Sequence, residues 1–162
     1  MKRIIALLTV SVLLLLSGCS IAAKPNFSVY QKGIAEVIYD ENEWEAEFDF
    51  FGEKQLVILK SEQTAFPTRY VFEKQTITLT YDDITTELDI GGVPDTNTAL
   101  LIYRILHALG SENTKWKSEK GVFYFQTRIH DVFCSGMCEK SGKLISCEVP
   151  EYKFYLKVKN LV

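Results

Sequence analysis

Histidine is scarce: His107 and His130 are the only two in 162 residues. The chain has no His-Glu-x-x-His pair and no glycine-rich phosphate loop, so the signatures of zinc hydrolases and nucleotide-binding enzymes are missing. Gly91-Gly92 reads as a turn before a helix. Lys and Arg are not clustered, and 18 of them face 21 Asp and Glu. That balance argues against a surface built to neutralise nucleic-acid phosphates. A membrane-spanning helix needs about 20 consecutive apolar residues, and the longest apolar run, residues 4–16, is shorter. Repeats and low-complexity tracts are not evident. Catalytic acids are no better supported, because Asp82-Asp83 and Glu41/Glu43 fall at turns, where solvated carboxylates are the rule.

The N-terminus is richer. Lys2 and Arg3 precede the apolar run, which contains only Thr9 and Ser11 as polar interruptions, and Leu16-Ser17-Gly18-Cys19 follows it. This is the layout of a secretory signal. The last four residues resemble the bacterial lipobox. The resemblance implies that residues 1–18 are removed and that Cys19 carries a diacylglycerol. Two acyl chains satisfy the requirement for stable membrane anchoring. Residues 19–26 read as a lipidated tether, and 27–162 as a single β-rich domain with room for one core. Without Lys2 and Arg3 the remaining 16 basic residues face 21 acidic ones, a net charge of −5. Membrane attachment is therefore expected to depend on the lipid rather than on a polybasic patch.

Beyond the tether the hydrophobic pattern has a period of two, as half-buried strands require. Trp44-Glu45-Ala46-Glu47-Phe48-Asp49-Phe50 alternates strictly. Further strands are expected at 34–39, 55–59, 69–72, 76–81 and 84–90, then at 114–117, 122–129, 132–138, 143–148 and 152–158. One segment differs. Asp95-Thr96-Asn97-Thr98 is an N-cap cluster, residues 99–109 carry apolar side chains at helical spacing, and Gly110 stands where a C-terminal cap belongs. About ten strands and one helix predict a mainly β (α+β) fold, a curved antiparallel sheet wrapped over one principal helix.

This order resembles small extracytoplasmic lipoproteins of Gram-positive bacteria with a fold similar to the half-open barrel of the LolA and LolB lipoprotein carriers. The likeness rests on Trp44-Glu45-Ala46-Glu47-Phe48, Ile77-Thr78-Leu79-Thr80-Tyr81-Asp82-Asp83-Ile84, Ala99-Leu100-Leu101-Ile102-Tyr103-Arg104-Ile105-Leu106 and Tyr152-Lys153-Phe154-Tyr155-Leu156-Lys157-Val158. It implies a half-barrel and the handling of lipid or lipoprotein, and it assigns a role to no residue.

The residues themselves suggest three chemistries. His130-x3-Cys134-x3-Cys138-x8-Cys147 contains the donors of a Cys3His zinc site, but residues four apart on a strand lie about 13 Å apart. In an extracytoplasmic domain the thiols are expected to pair instead, with free buried thiols as the alternative. Folding about Gly142-Lys143 would set Cys138 opposite Cys147, while the pairings Cys134–Cys138 and Cys134–Cys147 stay open. His107 reads as a helix-end residue favoured by the dipole. Finally, Trp44, Phe48, Phe72, Tyr81, Phe123, Phe125 and Phe154 either fill the core or line a cavity for an acyl chain. The sequence thus predicts a non-enzymatic lipoprotein without a cofactor, held at the outer face of the membrane and binding a hydrophobic ligand or another envelope protein. A thiol-redox or zinc-binding domain is the further alternative.

Overall fold

The computed structural model describes residue 25 and residues 31–161 of the chain. The signal segment, Cys19 and the tether lie outside these residues, apart from Pro25. Gln31–Tyr39 (β1), Asn42–Phe51 (β2), Lys54–Lys60 (β3), Thr68–Glu73 (β4), Thr76–Tyr81 (β5) and Ile84–Asp89 (β6) form one meander. Thr98–Leu109 (α1) follows, and then Lys115–Glu119 (β7), Val122–Ile129 (β8), Val132–Cys138 (β9), Leu144–Val149 (β10) and Phe154–Leu161 (β11). The protein is mainly β, and the expected strands and helix all occur within a few residues of their predicted limits.

The two meanders join into one antiparallel sheet through β1 and β11, in the order β6-β5-β4-β3-β2-β1-β11-β10-β9-β8-β7. The edges, β6 and β7, are the two strands that α1 connects. Most hairpins close in two residues, which demands left-handed backbone to match the strand twist. Asp40 and Glu41 both adopt it, at φ 45° and 69°, as do Lys74, Asp82, Lys120 and His130 in the corresponding turns. At the junction of the meanders the buried Gln31 amide acts as a clamp: Nε2 donates to Gly142 O at 2.9 Å, and Leu144 N donates to Oε1 at 3.2 Å.

The helix explains the curvature. A helix is about 10–12 Å across and strands are spaced by about 4.8 Å, so one helix covers two or three strands of a flat sheet. Here α1 touches β3 and β8, which five strands separate in the sheet order. The sheet therefore curls around it. Thr98, Ala99, Leu100, Leu101, Ile102, Ile105, Leu106 and Leu109 are all buried, so the helix is apolar over most of its circumference and fills the concave side. Asn97 caps its start, accepting from Leu100 N at 3.0 Å. Gly110 follows its last turn, but in right-handed backbone at φ −79° and not in the left-handed cap that glycine usually provides.

Candidate functional site

Alternation assigns an inner face to every strand. On β4 it is Thr68, Tyr70 and Phe72; on β5, Ile77, Leu79 and Tyr81; on β6, Ile84, Thr86 and Leu88, each matched across the ladder. Phe72 and Ile77 are fully buried, and Phe72 stacks on Tyr103 of α1 with ring centroids 4.3 Å apart. That stack is where helix cover ends. Beyond it Tyr70, Leu79 and Tyr81 are only half-buried, Leu88 is 39% exposed and Ile84 is 71% exposed. Phe66, in the loop before β4, stands edge-on to Tyr81 at 6.1 Å. The concave face thus ends in an uncovered apolar slope, flanked on the helix side by Tyr103. The Tyr103 hydroxyl is held neutral to higher pH by its partial burial.

Of the aromatic residues expected to line a cavity, Tyr81 alone lies on this slope. Phe48, Phe72, Phe125 and Phe154 are at most 2% exposed, Phe123 is also buried, and all of them pack within the core around α1. Trp44 is half-buried at the start of β2, with its indole Nε1 buried and without a hydrogen-bond partner among the described residues. Sequence reasoning missed Tyr70, Leu79, Ile84 and Leu88. Their alternation was legible, but not that the helix stops short of them.

The thiols fall on the sealed side. Cys134, Cys138 and Cys147 are buried and unbonded, on the inner faces of β9 and β10. The register corrects the expected hairpin: a slip between Leu144 and Ser146 sets Cys138 opposite Leu144 and Cys147 opposite Gly136. Cys147 instead hydrogen-bonds to Cys134, two residues along β9 from Gly136, and this contact together with burial raises its pKa well above the ordinary thiol value. Burial, aided by Cys134, pushes Cys138 up to about 12. Thiols held protonated in this way are poor nucleophiles and poor metal ligands. His130 does not join them. It sits in the β8–β9 turn with Nδ1 3.4 Å from Asp95 Oδ2, whereas Cys138 ends β9 at the opposite side of the sheet. No group of three His, Cys, Asp or Glu side chains is placed to hold a metal ion among the described residues.

Asp95 also accepts from Arg104 Nη1 at 2.6 Å, which holds its carboxyl below the usual range. This exposed cluster ties the start of α1 to the β8–β9 turn. His107 stands in the last turn of α1, as expected, and it also packs at the edge of the core. Its ring packs 4.5 Å from Tyr103 and 6.1 Å from Phe50, its Nε2 lies 3.3 Å from Gln55 Oε1, and burial lowers its pKa. On the outer face of β7–β11, a groove of about 520 Å³ runs between Tyr124, Met137 and Tyr155. The chain matches no protein-family model, and comparison with curated proteins gives no match.

Proposed function

We propose that the chain is a lipoprotein anchored through Cys19 to the outer face of the cell membrane, and that its domain binds a hydrophobic, lipid-like guest without catalysing a reaction. The observation that carries the reading is the uncovered apolar slope of Tyr70, Leu79, Tyr81, Ile84 and Leu88 at the β6 end of a concave sheet. An isolated apolar side chain on a surface needs no explanation, but a contiguous set continuing the core face marks an interaction site. The buried thiols, held protonated, add no competing chemistry. The likeness to half-open carrier barrels supports the same reading at the level of fold, as analogy.

Titration with a fluorescent fatty acid tests the guest. Burying an isoleucine side chain stabilises a complex by about 1.5–3 kcal/mol, so Ile84→Glu should weaken binding by about tenfold or more. Wild-type protein that binds no probe, or a variant that binds it equally well, refutes the carrier reading. The anchor is tested separately by mass spectrometry: Cys19→Ala should abolish acylation, and acylation that persists in this variant refutes that assignment.

A further inference from the structure

The two edges of the sheet, taken over the described residues, carry opposite charge. β6 and its preceding turn contain Asp82, Asp83, Glu87 and Asp89 and no basic residue, whereas β7 and its following turn contain Lys115, Lys117 and Lys120 against the single Glu119. Every residue of β6 is exposed, as is every residue of β7 except the half-buried Trp116. Edge strands offer unpaired main-chain groups, and natural proteins guard them with charge, most often lysine. β7 is guarded in that way. The acids of β6 repel a second acidic edge but attract a basic one.

We infer that the β6 edge of one copy pairs with the β7 edge of the next, joining copies head to tail into a continuous sheet. Strand direction fixes the geometry. Eleven antiparallel strands alternate, so the first and last in the sheet order, β6 and β7, run the same way. A second copy set alongside with its concave face on the same side therefore offers β7 parallel to β6. One register then places Glu87 beside Lys115 and Asp89 beside Lys117 on the outer face, and Leu88 beside Trp116 on the inner. Outer and inner assignments follow from the pairing of Glu87 with Thr78, Lys117 with Tyr124 and Trp116 with Phe125.

The local contacts leave these charges available. Lys117 touches Glu119 at 3.7 Å, but the pair is exposed and worth little. Asp89 uses Oδ1 to accept from Gly91 N at 2.7 Å and keeps its second oxygen. The like-edge alternatives, β6 on β6 or β7 on β7 with concave faces aligned, need a two-fold axis that turns one copy end for end and sets like charges together. Head-to-tail pairing keeps the Gln31 end of every copy on the same side. The pairing does not depend on the proposed anchor, but it is the arrangement that copies tethered to one membrane can adopt. A heterologous contact of this kind makes rings or open chains rather than closed dimers.

Cysteine crosslinking in intact membranes tests it. The full chain carrying both Glu87→Cys and Lys115→Cys, treated with a short bismaleimide, should give a ladder of dimers, trimers and larger species. Co-expressed single variants should stop at the dimer, and either variant alone should give none. Adding Lys117→Glu to the double variant should remove the ladder, and placing Asp89→Lys in the same chain should restore it. A carbodiimide applied to the unaltered chain gives an independent readout, with Lys115 or Lys117 joined to Glu87 or Asp89 in linked peptides. A crosslink confined to monomers would mean that the edges close within one chain and would overturn the inference. So would crosslinked species absent from both experiments, or a ladder indifferent to charge reversal.

Discussion

The inner face of the sheet is sealed over β8, β9 and β10 and bare over much of β5 and β6. On β8, Phe123, Phe125, Thr127 and Ile129 are all buried, whereas on β6 the matching inward residues Ile84, Thr86 and Leu88 are all exposed. β8 is paired on both sides and β6, at the edge, on one, but backbone pairing is not what sets side-chain cover. Distance from the helix is. α1 lies between β8 and β3, and β6 stands three strands beyond β3 toward the edge. One apolar alternation thus yields core on one side and accessible surface on the other, and only the surface can meet a guest.

Thiol chemistry gives the largest expected contrast. Cys134, Cys138 and Cys147 open to solvent only when the sealed side unfolds. With a typical stability of at least about 5 kcal/mol, they should react with a maleimide more than about 10³-fold slower than in denaturant. A thiol introduced by Thr86→Cys, on the bare side, should react at the rate of a free peptide. Comparable rates for the native and introduced thiols would show that the sealed side is open too. Where the domain refolds in the presence of an oxidant, the bridge expected is Cys134–Cys147, the pair in contact in the folded structure. Cyanogen bromide cleavage at Met137, which separates Cys134 from the fragment carrying Cys138 and Cys147, reports whether Cys134 takes part in the bridge.

Truncation is the next contrast. Phe125 is 1% exposed and packs 5.6 Å from Trp116, so Phe125→Ala should cost about 3–5 kcal/mol in urea unfolding. Ile84→Ala should change stability by less than about 0.5 kcal/mol, as surface substitutions do. Similar losses at the two positions would mean that β6 is covered by something that the chain itself supplies.

Much of this fold is legible in the sequence, because period-two alternation, short polar turns and the capped apolar helix agree with one another. The capping cluster that contains Asn97 and both limits of β8 could be placed from residue type alone. The β9–β10 register could not. The hairpin from Cys138 to Cys147 closes through a turn at residues 139–143 and then slips at Ile145, and a slip of this kind leaves no mark in composition. The bare slope was hidden for a different reason. Tyr81 and Ile84 satisfy the same alternation as Phe123 and Phe125, and only the reach of the helix separates them. The edge charges were visible as Asp82-Asp83 and Lys115-x-Lys117, yet nothing in the chain says that these segments border the sheet.

Glycine sharpens the comparison at smaller scale. Gly136 lies on the sealed side with the Phe125 ring over it, and a Cβ there would come within 2.7 Å of that ring and closer still to the carbonyl oxygen of Ser146. Gly136→Ala should therefore cost about 1–3 kcal/mol through overpacking. Gly52, in the β2–β3 turn, has open space around it but a φ of +67°. Gly52→Ala should lose only the left-handed backbone preference, about 1 kcal/mol. A Gly136→Ala variant as stable as wild type would show that β9 and β10 can part to admit a methyl group.

The smallest effect expected is at the boundary between the two regions, and it depends on pH. His107 packs against Tyr103 and Phe50, and burial sets its folded-state pKa below the ordinary 6.5. The unfolded chain therefore binds a proton at a pH where the folded chain does not. Stability is at its full value above pH 6.5 and falls as pH drops from there toward the folded pKa, because protonation favours the unfolded state. His107→Gln keeps a polar group within reach of Gln55 and removes the titration, so its stability should be flatter than wild type across that interval. The two curves should converge in shape above pH 7. If a hydrophobic guest lies against Tyr103 and deepens the burial of His107, the guest should steepen the wild-type slope and leave that of His107→Gln unchanged. An equal response in both proteins would place the guest away from this boundary.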